Sequence, residues 1–231
     1  MRAPARETAD ERERRPIDFP FLVLAALFLS ALVVCNLIAR KFVSVDLGFH
    51  VFEVSAGILP YPVTFLVTDL LAEIYGHRRA RKVVTAGFAA SVFVLGVVWL
   101  GDQFPALARS PVSDAAYRTV VATDAWRTVF ASMTAYLIAQ YVDVAAFEFW
   151  RRLTHGRHLW LRNNGSTIVS QGIDSALVVF VLFTGNPDWP LDRMLATIRD
   201  MWLFKTLMAF VDTPFFYAGT ALLRRSRPPA L

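Results

Sequence analysis

The stretch Val83-Val-Thr-Ala-Gly-Phe-Ala-Ala-Ser-Val-Phe-Val-Leu-Gly-Val-Val-Trp-Leu-Gly101 runs for nineteen residues without a charge. A bilayer core about 30 Å thick is crossed by roughly 20 apolar residues in a helix. This segment therefore decides the fold class, an all-α integral membrane protein. Working outward from it, five more apolar blocks of similar length appear at about 18–39, 56–75, 124–150, 166–185 and 199–223. Six spans take up more than half of the 231 residues, and what lies between them leaves no room for a separate soluble domain. The expected division is a disordered cytoplasmic tail over 1–17, a six-helix membrane domain over 18–223, and a second cytoplasmic tail over 224–231.

Composition excludes several alternatives. The chain is 55% apolar and 19% charged, against about 25% charged in soluble domains. One cysteine, Cys35, excludes a disulfide framework and a cysteine-based zinc site. The net charge of +5 reports topology and not nucleic-acid binding. Sixteen of the 24 Lys and Arg fall in the N-terminal tail, the loops after the second and fourth blocks, and the C-terminal tail. By the positive-inside rule both termini are then cytoplasmic, in a multi-pass inner-membrane protein. The first apolar block is as long as a full span and its leader mixes acids with arginines, so a retained helix is expected and not a cleaved signal. Leu32-Val-Val-Cys35 lacks the small residue a lipoprotein box needs before its cysteine, and an unmodified buried thiol is expected.

Between the first two spans, Val43, Val45 and Leu47 alternate with Ser44 and Asp46, and Gly48 interrupts before Phe49-His-Val-Phe-Glu-Val54. That pattern reads as a short hairpin or extended element. Open strand edges are not tolerated in lipid, which places it at the outer surface or inside the bundle.

Ionisable residues within spans cost about 2.5–3.5 kcal/mol each on insertion scales and default to a functional reading. Here they include Asp69, Glu73, Arg127, Asp143, Glu148, Asp174, Lys205 and Asp212, joined by the amides Asn36, Gln140 and Gln171. A local repeat sharpens the pattern. Ile138-Ala-Gln140-Tyr-Val-Asp143-Val-Ala145 matches Val169-Ser-Gln171-Gly-Ile-Asp174-Ser-Ala176. Gln-x-x-Asp puts both side chains on one helical face, and two consecutive antiparallel helices bring such faces across one cleft. A carboxylate there accepts paired N–H donors of a guanine-type edge, while amides serve a ring carbonyl or nitrogen. The same acids also suit a cation or a coupled proton, and residue chemistry leaves these alternatives open.

Enzyme readings find little support. All four histidines (His50, His77, His155, His158) lie outside the spans, so a Ser–His protease lacks its base. No H-E-x-x-H and no P-loop occurs. Neither a metal nor a cofactor is expected.

Four stretches then carry a resemblance. Pro60-Tyr-Pro-Val-Thr-Phe-Leu-Val-Thr-Asp69-Leu-Leu-Ala-Glu73-Ile-Tyr-Gly76-His-Arg-Arg-Ala-Arg-Lys82 closely resembles the hallmark segment of the queuosine precursor transporter family, also called the VUT family. Asn36 before the first basic pair, Arg127 through Gln140 to Asp143, and Trp160-Leu-Arg-Asn163-Asn164-Gly165-Ser166 through Gln171 and Asp174, agree with it. The resemblance implies uptake of 7-cyano- and 7-aminomethyl-7-deazaguanine, precursors of a modified tRNA base, with no enzymatic step. The expected partners are this deazapurine substrate and the lipid bilayer, with a homodimer compatible and nucleic acid not.

The site assignment comes from the residue chemistry. Asp143 and Asp174 are expected to grip the N–H edge with Gln140 and Gln171 in support, and Asp69 and Asp212 to join the site. Asn36, Glu73, Arg127 and Lys205 are candidate gate or charge-partner residues. Asn163 and Asn164 are expected to cap the fifth span. A secondary carrier is the favoured mechanism. The alternatives are a binding subunit of an ATP-driven assembly and, further off, a membrane enzyme or scaffold.

Overall fold

The computed structural model describes residues 17–122, 125–154 and 159–225. Helix α1 (Phe19–Ile38) leads into strands β1 (Phe42–Asp46) and β2 (Val51–Ser55), then a 3-10 turn at Ala56–Ile58. Helices α2 (Tyr61–Tyr75) and α3 (His77–Asp102) follow. A one-turn helix α4 (Asp114–Tyr117) precedes α5 (Ala125–Leu153), α6 (Leu159–Phe183) and α7 (Leu191–Arg225). Most of the tails 1–17 and 224–231, with His155 and His158, lies outside the described residues.

Local chemistry sets the ends. Asp18 caps α1, accepting from Phe21 N at 3.0 Å, and Pro20 sits in the first turn where no N–H is needed. Pro62 does the same for α2. Gly76, at φ 89° and ψ 153°, is the single residue between α2 and α3. Only glycine adopts that conformation cheaply, so the chain reverses there without a loop. Helix α7 begins at Leu191, earlier than the expected 199, with Asp192 in its first turn. The charged run 192–200 that resembles a loop in sequence is thus two helical turns.

The strands pair antiparallel, from Phe42 opposite Ser55 to Asp46 opposite Val51. One face of the ribbon is buried, with Phe52 and Val54 packed on Val179 of α6 and on Met194, Met201 and Phe204 of α7. A second apolar cluster, built on Phe28, Leu71, Ile74, Tyr75 and Val83, joins α1, α2 and α3. Helix α5 packs most extensively on α6, and α2 bridges α1 and α7.

Among the described residues, five helical segments are long and apolar enough to cross a membrane: Phe19–Ile38, Ala56–Tyr75, Arg78–Asp102, Asn164–Phe183 and Leu191–Arg224. Helix α5 is not among them, although its 29 residues exceed the length a bilayer needs. Phe93, Trp99 and Leu222 are each more than 60% exposed on these helices, a density of bare apolar surface that suits lipid and not water.

Gly57 supplies a close approach in place of a turn. A Cβ there would lie 3.1 Å from Ala39 Cα and closer still to the Cys35 carbonyl. Gly57→Ala should therefore destabilise the detergent-solubilised protein by about 1–3 kcal/mol, read as a lowered thermal midpoint. Gly96→Ala, with nothing within 4 Å of the added carbon, should leave the midpoint unchanged or raise it.

Candidate substrate-binding site

The intramembrane polar residues form two layers between α2, α5, α6 and α7. In the layer nearer the hairpin, Asp174 of α6 and Lys205 of α7 are both buried. The Lys205 ammonium bonds to Asp174 Oδ2. The Tyr61 hydroxyl donates to the same oxygen at 3.1 Å, and the ammonium lies 4.3 Å from the Tyr61 ring centroid. Cys35, a free half-buried thiol of α1, is near enough to feel the lysine's charge. One carboxylate thus meets an ammonium, a phenol and an aromatic face.

The second layer lies further from the hairpin. Asp69 follows Tyr61 by eight residues, about 12 Å along a helix, and Asp212 follows Lys205 by seven. Asp143 and Asp212 are both close enough to act electrostatically on Asp69. Ser170 donates to Asp143 Oδ1 at 3.1 Å, and Ser166 adds a second hydroxyl. Asp212 Oδ2 is buried with no hydrogen-bond partner. Pro214, two residues on, removes one rung from the α7 ladder beside it. Among the described residues no cation pairs with these three acids, and no group of three potential ligands is placed to hold a metal ion.

The remaining assigned residues separate by position. Gln171 is buried and its Oε1 is unpaired, as are Ser175 Oγ on the same face of α6 and Thr206 Oγ1 beside Lys205. The side chains of Gln140 and Asn163 lie outside the described residues. Asn164 is inside α6, five residues beyond its start, and not at its cap. Asp143 and Asp174 share no partner: the first bonds α6 serines, the second Lys205 and Tyr61. Arg127 donates from Nε to Val181 O at 2.7 Å and from a terminal nitrogen to Thr184 O at 3.1 Å, holding the C-terminal carbonyls of α6. Glu73 pairs with Arg224 at 2.5 Å, and Tyr75 bonds Asp18, so α1, α2 and α7 are tied together at the end remote from the hairpin. Asn36 stands apart from both layers and lines a separate cavity against α3 and α5.

Asp200 escapes a sequence reading. It is buried in α7, accepts from the Glu53 backbone N–H at 3.1 Å and lies 3.3 Å from His50 Nε2. It thereby fastens the hairpin to α7, and Arg199 pairs at 2.8 Å with Oδ1, the same oxygen that faces His50. Its partners are 147 and 150 residues distant, so no local pattern announces it. Beside the first layer lies a cavity of about 10 Å³ under Tyr61, Phe65 and Lys205, roughly enough for one water.

A multi-helix bundle with ionisable residues gathered between its helices fits a membrane transporter. Residues 55–219 match the family described as "Putative vitamin uptake transporter", and the chain belongs to that family. It is 33% identical over 168 residues to the "Probable queuosine precursor transporter" of Bacillus subtilis (strain 168), spanning 72% of each chain. It is 30% identical over 174 residues to the "Queuosine precursor transporter" of Escherichia coli (strain K12), spanning 71% of this chain and 70% of that one. No solved structure matches the fold. The protein is a multi-pass membrane protein of a transporter family and not an enzyme.

Removing one member of a buried ion pair leaves the other uncompensated, at about 3–5 kcal/mol. Asp174→Asn and Lys205→Met should each lower the thermal midpoint sharply. The double variant should recover most of the loss, and a double-mutant cycle on the solubilised protein measures the coupling.

Proposed function

We propose that the protein takes up queuosine precursors, 7-cyano- and 7-aminomethyl-7-deazaguanine, across the bacterial inner membrane as a secondary carrier. The observation that carries this reading is the second layer, Asp69, Asp143 and Asp212, where no described cation answers three acids. Carboxylates in a dry site are strong acceptors for paired N–H donors. A guanine-like ring presents such a pair, and the unpaired Gln171 carbonyl and Thr206 hydroxyl offer further sites. The names of the bacterial relatives supply the substrate class.

In this reading α5 is the sixth span. Its Asp143 and Arg127 dilute its apolarity, and α6 shields the former. Both termini are cytoplasmic, which puts the hairpin and Asp200 on the outer face and the Glu73–Arg224 pair on the inner one. The membrane domain over 18–223 acts as one unit. Alternate release of the Asp200 clasp and the Glu73–Arg224 tie opens the acid column to either side.

The test is uptake rescue in a bacterium that neither makes the deazaguanine nor carries its own transporter. Modified base in tRNA should reappear when either precursor is fed at nanomolar concentration. Asp143→Asn and Asp212→Asn should each reduce uptake about tenfold or more, the worth of a charge-assisted hydrogen bond. Purified protein in liposomes should transport without ATP. Rescue in cells with no transport in liposomes would point instead to a missing ATP-driven partner.

A further inference from the structure

A second cavity stands apart from the acid column. It lies between α1, α3 and the start of α5, and holds about 420 Å³ of atom-free space, counting its opening to the outside. Asn36 of α1, Arg40 just beyond that helix and one face of α3 (Ser91, Val94, Val98) line it. Ser91 and Val98 are seven residues apart, so the slot is about 10 Å long. Arg40 stands at its hairpin end. The segment after α4 borders it, held to α3 by Tyr117 O–H donating to Val98 O at 3.1 Å and Arg118 Nε donating to Asp102 at 2.7 Å.

Most of the walls are valine and leucine, yet three polar side chains stand among them. Asn36 Nδ2, Ser91 Oγ and Thr128 Oγ1 come from three different helices to line this one cavity. All three atoms are buried without a hydrogen-bond partner. Ser91 is 2% exposed and Thr128 4%. Leaving such a group unsatisfied costs about 1–3 kcal/mol, and dry cavities are lined by apolar atoms. Three orphans around one space mean that something polar visits it. An acyl chain offers no hydrogen bond to any of the three atoms. A narrow apolar slot with an amide and two hydroxyls in its walls matches a flat ring that carries a lactam edge, one C=O beside one N–H.

We propose that this slot is an entry subsite for the neutral lactam edge of a flat heterocycle, distinct from the acid column. The identity of that heterocycle as a deazaguanine rests on the proposed function. The lactam edge is read first by Asn36, Ser91 and Thr128, with no charge displaced, and the N–H pair is gripped later by the carboxylates. The space open to a water-sized molecule is about 20 Å³, so the valine and leucine walls part on entry.

The experiment pairs uptake kinetics with protection. Ser91→Ala combined with Thr128→Val removes two orphaned atoms, so folding should be unaffected or improved, checked by the thermal midpoint. Uptake should show KM raised about tenfold, from two lost hydrogen bonds, with the maximal rate unchanged. In a Cys35→Ser background, Thr128→Cys should react with a small maleimide, and 7-cyano-7-deazaguanine should protect it. Unchanged KM and no protection, in a protein that transports, would overturn the subsite and leave the transport reading standing. Protection by the ligand in a protein that rescues no uptake would support the slot and sink that reading.

Discussion

A charge in hydrocarbon must find a partner, and the Asp174–Lys205 pair is where this chain meets that demand most completely. The ammonium is buried against a carboxylate that also receives the Tyr61 hydroxyl. Three helices, α2, α6 and α7, are fixed relative to one another by one oxygen atom. The hairpin then packs on α6 and α7 through Phe52 and Val54, and its position follows from theirs. The second layer is the converse case. Asp69, Asp143 and Asp212 are brought within electrostatic reach with hydroxyls but no described cation. Stability is concentrated near the hairpin and unsatisfied acceptor capacity is concentrated deeper, which is the arrangement a carrier needs to bind what it then releases.

Much of the architecture was legible because membrane physics writes long, simple signals. A charge-free run such as 83–101 has one reading in lipid. The alternation around Gly48 is a local pattern, and the ladder from Phe42–Ser55 to Asp46–Val51 is its local product. Helix α5 is harder, since Arg127, Gln140 and Asp143 dilute its apolarity and the shielding comes from α6, which no window over 125–153 can see. The start of α7 was hidden for a related reason. Asp192, Arg193, Arg199 and Asp200 look like a loop until their partners are known.

The site was legible in its residue types and not in its pairings. Gln-x-x-Asp on consecutive helices suggests two acids meeting across a cleft. In the fold, Ser170 and Ser166 take Asp143, while Lys205 and Tyr61 take Asp174. Helical periodicity tells which residues share a face but not which face a third helix covers. The polar lining of the α1–α3–α5 slot was invisible for the same reason, since Asn36, Ser91 and Thr128 are unremarkable one at a time.

The clasp on the hairpin carries a consequence for biosynthesis. The Glu53 N–H and the His50 ring bond to Asp200, about 150 residues later in the chain. At about 5–20 residues per second, the ribosome delivers that carboxylate some 7–30 s after the hairpin has left it. For that interval the ribbon has neither its anchor nor the α7 side chains that cover Phe52. Fastening of the hairpin is therefore a late event in assembly, and chains truncated before α7 should present an uncovered strand pair to the quality-control proteases of the membrane.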